Sequence, residues 1–292
     1  MNRRTVIGTS VAATLATKTA WAAGMPKQVK PIGVQLYTVR DAMKSDFEGT
    51  IAKVAAAGYT EVEFAGYFDR SPKDIRAILE KNHLTSPSCH VPYDIVADHW
   101  PEQLEAAHTI GHKLIVNPWI DDSQRKSPDG WKRAAELFNK AGEAAQKAGI
   151  QFAYHNHTFE FQPAESLGGK LPYDFLLKNC DAKLVKMELD LCWISVAGKD
   201  PLTYFNENPG RFPAVHVKDI KQLPKPEDAP TAGPDKQMAF LTEVGSGIID
   251  WKHIFAGAGK AGIQHYFVEH DNPSDGFASI KKSYDYLHAL NF

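Results

Sequence analysis

Two histidines, an asparagine and a glutamate crowd the end of one apolar run, Phe152-Ala-Tyr-His-Asn-His-Thr-Phe-Glu160. Side chains on a strand alternate with period two, so His155 and His157 are expected on one face. Two imidazoles at a strand terminus carry a desolvation cost unless a metal, a substrate or a carboxylate pairs them. The pattern recurs downstream. Val185-Lys-Met-Glu-Leu-Asp190 ends in a carboxylate, Pro213-Ala-Val-His-Val-Lys-Asp219 carries His216 and Lys218, and His265-Tyr-Phe-Val-Glu269 is followed by His270 and Asp271. Four successive strand-like runs each finish with a hard or borderline ligand, the donor set of a divalent cation.

Each residue has a plainer reading to set beside that one. His216 could be a satisfied core histidine, but its place at a strand end beside Lys218 and Asp219 favours a ligand. Asp190 and Glu269 close apolar strands, where an unpaired carboxylate is costly. A cation relieves that cost, and so does an ion pair with Lys218 or Lys186. Glu188 shares a face with Asp190 and competes for the ligand role. Lys218 is a candidate to hold a developing oxyanion. His90 either contacts substrate or caps its strand. Trp193 and Tyr37 could stack on a bound ligand or pack in the core.

These residues need a frame that brings many strand ends together. Strand-like Pro31–Tyr37 precedes helical periodicity over 46–57, stopped by Gly58. Glu61–Phe64 reads as the second strand, and Pro72–Asn82 as a helix with Ser71 as N-cap and Pro72 at its first position. A third strand runs to about Cys89 and His90, and a fourth spans Lys113–Asn117. A long helix from about Pro128 to Ala148 leads into the His155 strand. Helices near 172–179, 201–208, 250–259 and 277–290 alternate with the last three strands. Alternation with continuous apolar strands predicts a parallel sheet covered by helices. No Gly-x-Gly-x-x-Gly turn follows the first strand, which argues against a dinucleotide-binding open sheet. Polar residues gather at successive strand ends: Gln35, Glu63, His90, Asn117, His155, Asp190, His216 and Glu269. A closed α/β barrel, (β/α)8, in one domain over 30–292 places them all on one rim. The Pro-rich segment 222–236 follows the seventh strand and reads as a lid or binding loop over that rim, or as an insertion without function.

The 292 residues are 43% hydrophobic and 23% charged, with a formal net charge of -2. That balance supports one full globular core and lacks the basic footprint of nucleic-acid binding. No long apolar run predicts a membrane span in the mature protein. Arg3 and Arg4 precede a mild apolar stretch, Val6–Ala16, and Ala20-Trp-Ala22 offers small-x-small cleavage. Residues 1–23 therefore read as a twin-arginine-type signal peptide, which predicts export, to the periplasm. Cys89, Cys180 and Cys192 are an odd, widely spaced set and read as small buried thiols.

The chain resembles the xylose-isomerase-like sugar (phosphate) isomerase/epimerase barrels over nearly the whole region from Ile32 onward. The resemblance is carried by Gly33-Val-Gln-Leu-Tyr37, Gly58-Tyr-Thr-Glu-Val-Glu63, His155-Asn-His157 with Glu160, Asp190-Leu-Cys-Trp193 with Gly198, His216-Val-Lys-Asp219, Glu243-Val-Gly-Ser-Gly247 with Asp250-Trp251, and Glu269. It implies one divalent ion (Mn, Mg, Co or Zn) held by two glutamates, an aspartate and a histidine. Asp190, His216 and Glu269 match three positions. Many members carry glutamate where this chain has His155, so the first ligand is expected to be Glu160, with His155 or His157 as alternatives. The implied activity is proton abstraction beside a sugar carbonyl through an ene-diolate, with Glu160, Glu269 and His157 as acid/base candidates. His90, His155, Trp193 and Lys218 are the expected substrate contacts. Returning the proton elsewhere gives isomerisation or epimerisation; losing a β-substituent gives a lyase or dehydratase. Export and the lack of a phosphate-cradling glycine loop predict an unphosphorylated sugar, keto-glycoside or inosose. The rivals are a sugar-binding barrel without catalysis and an endonuclease. Near-neutral charge, export and a single apparent metal site argue against the endonuclease. Members of the family often self-associate, so a homo-oligomer is an expectation too.

Overall fold

A computed structural model describes residues 27–223 and 238–292. The expected signal peptide and most of the expected rim loop, from 224 to 236, lie outside the described residues. Eight parallel strands close into a barrel: β1 (Ile32–Gln35), β2 (Glu61–Phe64), β3 (Thr85–His90), β4 (Leu114–Asn117), β5 (Gln151–His155), β6 (Val185–Asp190), β7 (Ala214–Val217) and β10 (His265–Val268). β1 pairs with both β2 and β10, which shuts the ring and removes the sheet edges. A short antiparallel pair, β8 (Asp219–Ile220) and β9 (Leu241–Thr242), rises from the end of β7. The sequence does not announce this hairpin, because two-residue strands have no readable period.

The strands are apolar on both faces for two different reasons. Outward residues such as Val62, Ile115, Phe152 and Leu189 join the main core under the helices. Inward residues at the bottom of the barrel form a small plug of Leu114, Val116, Ala153, Ala214 and Phe267. Gly33 makes room for it, since a Cβ there would sit 2.7 Å from the Phe267 ring. Two residues further along each strand the same inward face turns polar. Ala153 is followed by His155, Ala214 by His216 and Phe267 by Glu269.

Local signals set most helix boundaries. Ser71 accepts from the Asp74 N–H and Pro72 opens the helix Pro72–Lys81. Asp46 caps Phe47–Ala56, and Gly58 adopts φ 112° just beyond it. Two helices the expected alternation does not name, Tyr93–Asp98 and Trp100–Ile110, fill the interval between β3 and β4. Pro101 stands in the first turn of the second one, where a missing N–H costs nothing. The long helix Gly130–Lys147 packs on the strand layer so closely that a Cβ on Gly142 would meet the Leu184 carbonyl oxygen at 2.5 Å. Gly142→Ala therefore should lose about 1–3 kcal/mol in urea unfolding despite the better helix propensity of alanine. An unchanged midpoint would mean that the helix can slide outward at no cost.

Candidate metal and substrate site at the barrel mouth

Three strand ends supply the deepest groups. Glu63 of β2, Glu188 of β6 and His216 of β7 are all fully buried. Glu63 Oε1 accepts from Ser88 Oγ at 2.5 Å, and its Oε2 accepts from Gln35 Nε2 at 2.7 Å. His216 Nε2 lies 2.7 Å from Glu63 Oε2 and 3.1 Å from Glu188 Oε2. His90, at the end of β3, places Nε2 2.8 Å from Glu188 Oε2 and stacks on His216 with ring centroids 5.2 Å apart. His155 closes the group from β5, with Nδ1 3.3 Å from Glu188 Oε2.

Above this layer sits a second one. Asp190 Oδ1 caps the short helix Leu191–Val196, accepting from the Cys192 and Trp193 N–H groups at 2.9 and 2.7 Å. Its Oδ2 is buried without a hydrogen-bond partner. His216 Nδ1 lies 2.7 Å from Glu269 Oε2, and His155 Nε2 lies 3.9 Å from Asp190 Oδ2. Lys218 is buried among carboxylates, with Nζ 2.7 Å from Glu269, 3.0 Å from Asp271 and 3.3 Å from Asp190. Asn156 ties β5 to β6, its Oδ1 accepting from the Asp190 N–H at 3.0 Å.

The charges follow from this packing. Burial alone would push the Glu63 and Glu269 carboxyls up, but the cations beside them overcome it. His90 and His216 hold Glu63 well below the usual range, and Lys218 and His216 do the same for Glu269. Burial opposes the Lys218 charge too, yet Asp271, Glu269 and Asp190 keep it protonated. His155 and His157 are held neutral by burial and by the cations around them. Burial lifts the Asp271 carboxyl to about 6 against the pull of Lys218.

A cavity of about 470 Å³ opens onto this wall. His90, His155, His157, Lys218, Glu269 and Asp271 face it from the barrel side, and Tyr37 and Trp119 border it. The mouth thus offers a substrate-sized space with donors, acceptors and two neutral imidazoles on one side.

Glu160 stands elsewhere. Its carboxylate accepts from Tyr154 Oη at 2.7 Å and from the His157 N–H at 2.9 Å. Tyr154 precedes His155 and so points to the opposite face of β5, toward the helices. The turn Phe159–Phe161 carries Glu160 to that outer side, away from the groups that converge on His216. The β5 side chain that lies beside Asp190 is His155, with Nε2 3.9 Å from Asp190 Oδ2. His157 lies beyond the end of β5 and reaches the cavity through the turn rather than by strand alternation. It packs edge-on against Trp119 at 4.8 Å, with its Nδ1 buried and unpartnered. Trp193 is buried behind Lys218, whose ammonium lies 5.4 Å from its ring centroid, and does not border the cavity. Two participants carried no assigned role in the sequence: Glu63, signalled only by its strand-end position, and Asp271, which lies two residues past Glu269. Cys89, Cys180 and Cys192 are buried free thiols, as expected.

Burial lifts the Glu160 carboxyl to about 7, against the hydrogen bonds from Tyr154 and His157 that favour its charged form. The unfolded chain releases that proton near pH 4.3. Between those values the folded state binds the extra proton, so this group makes stability fall as pH rises from about 4.3 to 7, with no further change above. Glu160→Gln keeps an acceptor for the His157 N–H and a donor for Tyr154. It should therefore stabilise the protein at pH 8, by up to roughly 3 kcal/mol, and change little at pH 4.5. Urea melts at the two pH values check it; an equal effect at both would count against the raised carboxyl.

Asp219 explains one motif of the resemblance. Its carboxylate accepts from the N–H groups of Ile220, Gly245, Gly247 and Ile249 and from the Trp251 indole at 3.0 Å. A Cβ on Gly247 would collide with that carboxylate. The Val-Gly-Ser-Gly run is thus a backbone cradle that pins the β9 side of the mouth to the end of β7.

The sequence profile of the xylose isomerase-like TIM barrel family matches residues 51–290. The chain belongs to that family. Among curated relatives, inosose dehydratase from Lacticaseibacillus casei is 26% identical over 250 residues, covering 76% of this chain and 80% of that protein. Inosose dehydratase from Geobacillus thermodenitrificans (strain NG80-2) is 24% identical over 251 residues, with 76% and 80% covered. Among solved structures, a sugar phosphate isomerase/epimerase from Parabacteroides distasonis ATCC 8503 superposes with TM-score 0.72 at 25% identity, covering 94% of this chain and 98% of that one. The zinc-bound IOLI protein shares the fold at TM-score 0.70 and 13% identity, covering 90% of this chain and 99% of its own. The family fold and the cavity at the barrel mouth make a small molecule the natural partner. Among the described residues no helix is long and apolar enough to cross a membrane.

Proposed function

We propose that this chain is a divalent-metal-dependent enzyme that removes a proton beside the carbonyl of an unphosphorylated keto-sugar or inosose-like polyol and then eliminates water. The observation that carries this reading is the upper donor set. Asp190, His216 and Glu269 each present a ligand atom within 4.8 Å of the others, and Asp190 Oδ2 accepts no hydrogen bond, its nearest ion-pair contact being Lys218 Nζ at 3.3 Å. His155 Nε2 is the fourth donor, in place of the expected Glu160. Two carboxylates and two imidazoles fit a divalent ion without choosing among Mn, Mg, Co and Zn.

When bound, the ion polarises adjacent carbonyl and hydroxyl oxygens and acidifies the C–H between them. The remaining steps belong to the side chains. Neutral His157 borders the cavity and accepts the proton at a ring nitrogen. Lys218, held charged, faces the oxygen on which negative charge develops. Asp271, with its carboxyl near 6, hands a proton to the departing hydroxyl, so the C–O bond breaks with release of water. Two curated relatives named inosose dehydratase support elimination. The Parabacteroides neighbour supports a second reading, in which the proton returns to the other carbon and the outcome is isomerisation or epimerisation. The preference for an unphosphorylated substrate rests on export through the paired-arginine leader, which we propose directs the chain to the periplasm. N-terminal sequencing of the periplasmic form tests that step.

The test of the reaction is NMR of metal-loaded protein in heavy water with a panel of inososes and 3-keto sugars. Metal-dependent exchange of the C–H with loss of water supports the dehydratase. Exchange without water loss supports the isomerase. Saturable binding with no exchange would overturn both in favour of a non-catalytic barrel. The ligand set has its own check by calorimetric titration with Mn²⁺. His155→Ala should weaken binding by about 100-fold or more, while Glu160→Gln should stay within about 3-fold of the parent. The reverse ranking would restore Glu160 as the ligand.

A further inference from the structure

A general base must hold its ring nitrogen within hydrogen-bond reach of the proton it takes, and a misplacement of about 1 Å can cost about 100-fold in rate. His157 lies past the end of β5, so the strand ladder does not fix it. Its Nδ1 is buried without a hydrogen bond, so no carboxylate orients the ring from that side as one does in a Ser-His-Asp triad. Main-chain bonds take over the task. The His157 N–H donates to Glu160 Oε2 at 2.9 Å, and the His157 carbonyl accepts from Asn156 Nδ2 at 3.3 Å. The other Glu160 oxygen accepts from Tyr154 Oη at 2.7 Å, which anchors the turn to a fully buried residue of β5. The same turn, Phe159–Phe161, lays the Phe159 ring parallel to the imidazole, with centroids 5.9 Å apart and 9° between the planes. The Arg125 guanidinium in turn lies 3.6 Å from the Phe159 centroid. Glu160 itself is fully buried and does not border the cavity.

We propose that Glu160 is a positioning residue: acting through the His157 main chain, it sets the imidazole against the C–H that is broken, without touching substrate or metal. This assignment rests on His157 being the base of the proposed reaction. The carboxylate works as a two-point clamp. One oxygen holds the amide of the base, and the other holds a tyrosine whose ring packs between Phe138 and β5 on the helix side. Asn156 adds a third tie, because its Oδ1 accepts from the Asp190 N–H while its Nδ2 donates to the His157 carbonyl. The base is thereby held at a fixed distance from a residue of the upper donor set. Without the Glu160 acceptor the His157 amide has no partner in the turn, and the ring keeps only its aromatic contacts with Trp119 and Phe159. Chemistry should suffer and substrate binding should not, since the cavity wall of His90, His155, Lys218 and Glu269 stays in place.

The test compares Glu160→Ala, Glu160→Gln and His157→Ala in the metal-loaded full chain. Glu160→Ala should lower kcat by about 30- to 100-fold with KM within about 3-fold of the parent. Glu160→Gln keeps an acceptor for the His157 N–H and should restore kcat to within about 5-fold. Equal losses in the alanine and glutamine variants would overturn the proposal, and so would an Ala variant with the parent kcat. Should Glu160→Ala not fold, Glu160→Leu fills the volume and removes the acceptor. Hydrogen exchange of the His157 amide, read by NMR, needs no turnover. It should quicken at least about tenfold in the alanine or leucine variant and stay slow in the glutamine one. Unchanged protection would overturn the clamp even if no substrate is found. His157→Ala separates this result from the reaction itself. If it keeps the parent kcat, the base assignment fails and the positioning role falls with it. If it is inactive while Glu160→Ala is not, only the positioning role falls.

Discussion

Lys218→Met should destabilise the protein by about 3–5 kcal/mol at neutral pH, the largest loss expected from any one side chain at the mouth. The ammonium is buried with carboxylate oxygens of Glu269, Asp271 and Asp190 at 2.7, 3.0 and 3.3 Å. Methionine fills the volume but leaves three buried carboxylates facing one another. The cost comes from those stranded charges rather than from the lost pair itself. The sign with pH follows. Without the cation, all three carboxyls rise, starting from Asp271 at about 6 in the parent. They then take up protons on folding as pH falls, so the deficit should shrink toward pH 4.5 and be greatest above pH 7. Urea unfolding of parent and variant at both pH values reads this directly. A deficit independent of pH would point to packing loss instead. Added Mn²⁺ should recover part of the stability by binding the folded state, because the freed carboxylates then face a cation again.

Asp190→Asn should leave the fold intact and remove the upper metal site. The two oxygens of Asp190 have separate jobs. Oδ1 receives the Cys192 and Trp193 N–H groups and starts the helix Leu191–Val196, whereas Oδ2 accepts no hydrogen bond and faces Lys218 Nζ at 3.3 Å and His155 Nε2 at 3.9 Å. Asparagine keeps a carbonyl for the cap and puts an amide NH₂ where a cation would sit. Asparagine and aspartate cap helices about equally well, so the melting transition should move little. Mn²⁺ affinity should fall at least about 100-fold, and turnover about 1,000-fold or more, since ligand loss removes both binding and the acidification of the C–H. Calorimetry and the exchange assay together check it. Unchanged affinity would show that Asp190 is a helix cap only.

Much of this could be read from the chain before folding. Continuous apolar runs alternating with capped helices predict a parallel sheet, and polar residues at eight strand ends argue closure, because only a ring brings them to one rim. Ser71 with Pro72 marks a helix start through contacts within a few residues. Asp190, His216, Glu269 and Lys218 stand out because each ends an apolar strand, where burial is certain and an unpaired charge is costly. Those features depend on local sequence and on the period of the strand.

What tertiary structure alone decided are the partners across the barrel. Glu63 and His216 are 153 residues apart yet meet at 2.7 Å, a distance that no spacing encodes. The same holds for the clustering of His90, His155 and His216 around Glu188. Glu160 shows the limit most clearly. Its position five residues after His155 suits a ligand on a flexible turn, but the turn follows Tyr154 to the outer face of β5, where the carboxylate is held by hydrogen bonds. A strand fixes which side its own residues face; where the chain goes after the last ladder hydrogen bond is set by packing, and packing is a property of the whole barrel.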